Sequence, residues 1–140
     1  MGEILDRNFK GIQHTGIPVS NLGNSETFYN KLGFKTVMAS TFKHSGNTGQ
    51  VRMLEKNSVI IELYQLPEPD LDEIRNRSDG HIDHIAFDVD NIEEVFDELK
   101  NADYNIVENS PAKLDFWDKG CSYFNILGPD NERLEFNQRH

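Results

Sequence analysis

Two histidines and two glutamates stand in matching pairs along this chain. His14, in QHTGIPV, and His84, in HIDHIAFDV, are 70 residues apart; Glu62, in VIIELYQ, and Glu135, in ERLEFNQ, are 73 apart. Two imidazoles and two carboxylates brought together would make a mixed nitrogen and oxygen site for a divalent ion such as Ni²⁺, Zn²⁺, Co²⁺, Mn²⁺ or Fe²⁺. A six-coordinate ion would keep two positions for water or substrate oxygens and act as a Lewis acid. A carboxylate able to leave the ion would serve as a base. Taken singly, a histidine on a strand is more often a hydrogen-bonded packing residue, and a glutamate in an alternating strand is usually its solvent-facing member. Recurrence of both types at the same places favours the ligand reading, because charged groups on an enclosed face are costly without a partner.

The elements that must position these residues are also written twice. Residues 12–22 align without a gap on residues 82–92, and Gly33-Phe34 falls on Asp103-Tyr104. Self-similarity at a fixed offset signals duplication. In the second copy, Ile85, Phe87 and Val89 alternate with His84, Ala86 and Asp88, the period of a strand with two unlike faces. Asp90 or Asn91 then opens a helix whose apolar stripe is Ile92, Val95, Phe96 and Leu99.

Taken in order, residues 1–9 form a tail, loose or docked. A strand over about 11–19 leads to a helix to about Leu32, with Leu22, Phe28, Tyr29 and Leu32 facing the core and Gly33 ending it. Strands follow at 34–42, 50–55 and 59–66, with a loop over 44–49 and a turn at 56–58. The second half repeats the plan: strand 81–89, helix 91–101, strand 104–108, a connection over 109–118, and strands 119–127 and 132–138 joined by a turn at Gly128-Pro129-Asp130-Asn131. The expected fold class is α+β, a single domain of two tandem βαβββ modules, about 10–66 and 81–138, joined by a linker over 67–80. Each module has one helix-covered sheet face and one open face that must meet another half-sheet or enclose something. Alternation places Leu134 and Phe136 on one face and Arg133, Glu135 and Asn137 on the other. His84 likewise points away from the helix.

Composition narrows the function classes. Of 140 residues, 24 are acidic and 14 basic, giving a net charge of −10. That field repels nucleic acid, and no cluster of Lys or Arg offsets it. The one cysteine, Cys121, excludes an internal disulfide and a CxxC site; among apolar neighbours it reads as a buried, inert thiol. No segment approaches the roughly 18 apolar residues of a membrane span, and the N-terminus lacks a signal-peptide pattern, so a cytoplasmic protein is expected.

With these motifs in hand, QHTGIPV, FYNKLGF, VIIELYQ, HIDHIAFDV and GPDNERLEFNQ, the chain resembles the vicinal oxygen chelate superfamily from about Gly11 to Gln138. That superfamily includes glyoxalase I, methylmalonyl-CoA epimerase, extradiol dioxygenases and the fosfomycin- and bleomycin-resistance proteins. The resemblance implies a curved-sheet half-barrel and places the four metal positions on His14, Glu62, His84 and Glu135. A two-histidine, one-carboxylate dioxygenase site would leave Glu62 unnecessary, and metal-free drug-sequestering members do not need an intact set.

The His/Glu/His/Glu set is most similar to glyoxalase I, or lactoylglutathione lyase. The resemblance implies that a ligand carboxylate removes the C1 proton of a methylglyoxal–thiol hemithioacetal, that the metal stabilises the cis-enediolate, and that the proton returns to C2. Glu135 is assigned as the base, with Glu62 as its partner. The alternatives are a methylmalonyl-CoA epimerase, in which Gln often stands at the Glu62 position, and a small-molecule-sequestering protein. Phe116, Trp117 and Lys119 are candidate lid residues, and Arg52 or Arg139 a partner for a substrate carboxylate. His44, His81 and His140 have no repeat counterpart and are expected to be exposed. The expected partners are a small-molecule substrate and a second copy in a symmetric homodimer.

Overall fold

The structure, a computed structural model, describes residues 2–31, 33–77, 82–127 and 133–140. In chain order the elements are β1 (Phe9–Pro18), α1 (Leu22–Lys31), β2 (Lys35–His44), β3 (Asn47–Lys56), β4 (Val59–Gln65), α2 (Leu71–Arg75), β5 (His84–Val89), α3 (Ile92–Asn101), β6 (Ala112–Leu114), β7 (Cys121–Leu127) and β8 (Arg133–Arg139). The α+β class and the twofold βαβββ plan are as expected. Leu32, His81 and the turn at 128–131 lie outside the described residues.

The chain forms two compact units, His14–Asp83, and Met1–Gln13 with His84–His140. In the first, the strands lie in the order β2-β3-β4-β1. β1 runs parallel to β4, with Gly16 opposite Glu62, and β3 runs antiparallel to β4, with Met53 opposite Glu62. Leu54, Ile61 and Leu63 form the core with Val19 and with Leu22 of α1. Phe28 departs from expectation: it is 59% exposed, while Tyr29 packs against this core. At 100° per residue Tyr29 returns to the face of Leu22 and Phe28 falls well off it.

β2 and β3 are longer than expected. His44 pairs with Asn47, and the turn is only Ser45-Gly46, both at positive φ (48° and 79°), so the strands absorb most of the anticipated loop. Two positive-φ residues suit a two-residue hairpin, because that turn matches the twist of the strands. Gly49 lies under the Phe42 ring, where a Cβ would approach a ring carbon to 2.4 Å. The stretch expected as linker carries α2, with Leu71 buried.

In the other unit the order is β5-β8-β7-β6. β5 is parallel to β8, with Ala86 opposite Glu135, and β7 is antiparallel to β8, with Asn125 opposite Glu135. Its core is Val89, Phe124, Ile126 and Phe136 with the α3 stripe Ile92, Val95, Phe96 and Leu99, the stripe expected from spacing. The N-terminal segment is docked here: Leu5 packs on this core and its N–H donates to Glu98 Oε1 at 2.9 Å. The strand expected at 104–108 is reduced to one bridge, Ile106 with Ile126, and the third strand is instead β6, inside the stretch expected as a connection.

The small devices that seat the helices recur in both units. Asn21 and Asn91 accept from the N–H groups of Asn24 and Glu94 as helix caps, at 2.9 and 3.2 Å. The Gln65 and Gln138 side chains accept from the N–H groups of Leu22 and Ile92, at 2.8 and 2.9 Å. At the other end, Gly33 and Asp103 take matching positive φ (96° and 59°). Each last strand thus fixes the start of its own helix.

Candidate functional site

Strand register determines which side chains share a face. Because Gly16 and Met53 lie opposite Glu62, the residues His14, Gly16, Met53 and Glu62 share the face of their sheet away from α1. His14 is 1% exposed and its Nε2 stands 3.7 Å from Glu62 Oε2. In the other unit, register groups His84, Ala86 and Asp88 with Arg133, Glu135 and Asn137, and with Cys121, Tyr123 and Asn125. His84 Nε2 stands 3.2 Å from Glu135 Oε2, and both residues are buried. The structure therefore brings His14 to Glu62 and His84 to Glu135, one imidazole and one carboxylate in each unit.

Around Glu135 the packing is polar and specific. Asn137 Nδ2 donates to Glu135 Oε1 at 2.7 Å, and Gln13 Nε2 donates to Asn137 Oδ1 at 2.8 Å. Cys121 is buried, as expected, 3.8 Å from Asn137 Nδ2. Asn125 is held by Glu108, which accepts from its Nδ2 at 2.8 Å and from its backbone N–H at 2.6 Å. Burial, and then the charges of Glu108 and Glu135, push the Tyr123 phenol above its usual pKa. Gln13 falls inside the repeat but opposite Asp83, a different residue type, and Tyr123 and Asn125 carry no repeat signal, so the matching that marks the His and Glu positions does not mark them. Asn137 is readable from sequence only as a face-mate of Glu135.

Several other expectations change. Arg52 lies on the helix side of its sheet, where its Nε sits 3.2 Å from Glu26 of α1, because alternation turns it away from Met53 and Glu62. The Arg139 guanidinium stacks over the Trp117 ring at 4.0 Å from its centre, and Phe116 is buried, so this part of the expected lid is packed. Lys119 is exposed. His44 is half-buried against Asp70 at 2.6 Å rather than exposed, while His140 is exposed and contacts Ser122. No helix among the described residues is long and apolar enough to cross a membrane.

Comparison with known proteins agrees with this architecture. A relative from Bacillus subtilis (strain 168), the uncharacterized protein YwbC, is 30% identical over 134 residues, covering 93% of this chain and 98% of the relative. Methylmalonyl-CoA epimerase from Mycobacterium tuberculosis superposes with a TM-score of 0.75 at 15% identity, over 94% of this chain and 89% of the other. Hypothetical protein BH1468 from Bacillus halodurans C-125 does so with a TM-score of 0.72 at 23% identity, over 96% of each. Residues 11–136 match the family described as the Glyoxalase/Bleomycin resistance protein/Dioxygenase superfamily, and the chain belongs to that family.

Proposed function

We propose that this protein is a metal-dependent lyase of the glyoxalase I kind, converting the hemithioacetal of methylglyoxal and a thiol into a thioester. The supporting observation is a buried imidazole and carboxylate pair in each unit, at 3.7 Å for His14 and Glu62 and 3.2 Å for His84 and Glu135. Two ligand atoms about 2.1 Å from one ion stand about 3.0 Å apart at a right angle and about 3.6 Å apart at 120°. Both pairs fit that spacing, and His84, Glu135, His14 and Glu62 are its proposed ligands. Ni²⁺ or Zn²⁺ is the proposed ion, with Co²⁺, Mn²⁺ and Fe²⁺ as substitutes.

When bound, such an ion supplies Lewis-acid polarisation of the substrate oxygens. The protein's own part is proton transfer. Glu135 takes the C1 proton of the hemithioacetal as the C1–H bond breaks. The C1–H electron pair becomes the C1–C2 double bond. The C1 hydroxyl proton passes to the C2 oxygen and the abstracted proton is delivered to C2, so the reaction is an isomerisation with no net oxidation. Glu62 is the partner carboxylate. Burial of both carboxylates keeps bulk water from competing for that proton. A homodimer in the cytoplasm completes the proposal.

A second reading, epimerisation at the carbon α to a CoA thioester, draws support from the likeness to methylmalonyl-CoA epimerase. Its first step is the same removal of an α proton. Two assays on one preparation separate the readings: thioester formation from methylglyoxal and glutathione, and α-deuterium uptake by methylmalonyl-CoA in heavy water. The lyase proposal expects Glu135-dependent thioester formation. Glu135-dependent α exchange without thioester formation would replace it with the epimerase.

A further inference from the structure

We propose that Asn137, clamped by Gln13, is a positioning residue that selects which oxygen of Glu135 does the chemistry. The inference rests on the reading of Glu135 as metal ligand and base. Asn137 is 2% exposed and Gln13 5%. Gln13 Nε2 faces three acceptors: Asn137 Oδ1 at 2.8 Å, the Asn137 carbonyl at 3.2 Å and Asp88 Oδ1 at 3.1 Å. Turning that amide over would set its oxygen against a carboxylate and a carbonyl, so its orientation is fixed.

The orientation of Asn137 follows from it. Its Oδ1 must meet Gln13, and its NH₂ is therefore presented to Glu135 Oε1 at 2.7 Å, with Cys121 Sγ at 3.8 Å. Glu135 Oε2 is the oxygen turned to His84, at 3.2 Å. The terminal torsion of a glutamate is otherwise broad and roughly twofold. A donor fixed on Oε1 removes that freedom and leaves Oε2 as the oxygen for the ion and the substrate proton.

The amide pair has no counterpart by residue type in the other unit. The position matching Asn137, 73 residues earlier, is Tyr64. Its ring lies edge-on to Phe42, with centroids 6.2 Å apart. A phenol cannot replace the carboxamide, which offers both an acceptor to Gln13 and donors to Glu135. Glu135 is thus a carboxylate held in a single orientation by an amide pair.

The test is Co²⁺ titration of the full chain, read from visible d–d absorption and by chelator competition, with kcat and KM for the hemithioacetal measured alongside. Asn137→Leu removes the donor and keeps the branched shape and number of side-chain heavy atoms; Gln13→Leu keeps the donor and removes its clamp. Loss of a group that orients a metal ligand typically weakens binding roughly 10–100-fold. That loss is expected for Asn137→Leu, with altered d–d bands and a fall in kcat larger than any change in KM. Gln13→Leu should show the same changes at smaller size, and carries the test if Asn137→Leu does not fold. Wild-type affinity and spectrum in these variants, with Co²⁺ binding lost in Glu135→Gln, would overturn the positioning role and leave the metal reading standing. A wild-type chain that takes up no Co²⁺ would overturn both.

Discussion

His84 Nε2 and Glu135 Oε2 stand 3.2 Å apart although 51 residues separate them in sequence. The parallel pairing of β5 with β8 sets Ala86 opposite Glu135, which brings the carboxylate alongside the start of β5. His14 and Glu62 are placed by the same parallel pairing of β1 with β4, at the slightly longer 3.7 Å. One topological device, a first strand joined in parallel to the last, makes both pairs.

Replacing Glu135 by Gln keeps the side-chain shape and leaves an acceptor for Asn137. The metal-free variant is therefore expected to unfold within about 1 kcal/mol of the wild type, while turnover falls roughly 10²–10⁴-fold, the usual contribution of a positioned base. Steady-state kinetics and urea unfolding on the same samples check the pair of outcomes. A folded variant with full activity would remove Glu135 from the mechanism.

Phe124 is fully buried, edge-on to Phe96 with centroids 5.1 Å apart and stacked on Phe136 at 5.2 Å. Phe124→Ala is expected to cost about 3–5 kcal/mol through lost transfer energy and the cavity left behind. Phe28→Ala, at a position 59% exposed, is expected to stay within about 0.5 kcal/mol. Denaturant midpoints decide between these values, and a large loss at Phe28 would contradict its placement off the core face.

Gln65 and Gln138 each satisfy the first N–H of a helix from the end of a strand. Truncation of either to Ala is expected to cost about 1 kcal/mol, typical for one hydrogen bond. Similar losses in the two single variants, measured by denaturation, would reflect the matching contacts. A neutral result at both would show that water replaces the glutamine.

Period and repetition in the sequence encode the two βαβββ modules, the α3 stripe, and the faces of Leu134, Phe136 and Glu135. They do not encode what depends on pairing across distance. α2 is five residues long and lies in a proline-containing acidic stretch, so no periodic pattern announces it. β6 is three residues long and is defined only by its partner β7. Ser45-Gly46 reads as part of a loop because the polar residues beside it are strand residues on a hairpin edge. Gln13 is hidden for a similar reason: its amide acts on Asn137, 124 residues away.

The Tyr123 phenol has its pKa raised by burial, and then by Glu108 and Glu135. Its neutral form is favoured by folding, so this contribution is fully present below the unfolded-state pKa of about 10 and is lost as pH rises through the folded value. Stability should therefore fall on the alkaline side, and Tyr123→Phe should flatten that fall. Melting temperatures from neutral pH into the range above about 10 test this. An equally steep alkaline loss in the variant would assign it to other groups.

Whether these four residues hold an ion is decided by metal content in the chain purified without chelator, beside His14→Ala, Glu62→Gln, His84→Ala and Glu135→Gln. About one divalent ion per wild-type chain is expected. A clear loss is expected in each variant. No bound ion in the wild type, or an ion retained unchanged in all four variants, would contradict the metal reading.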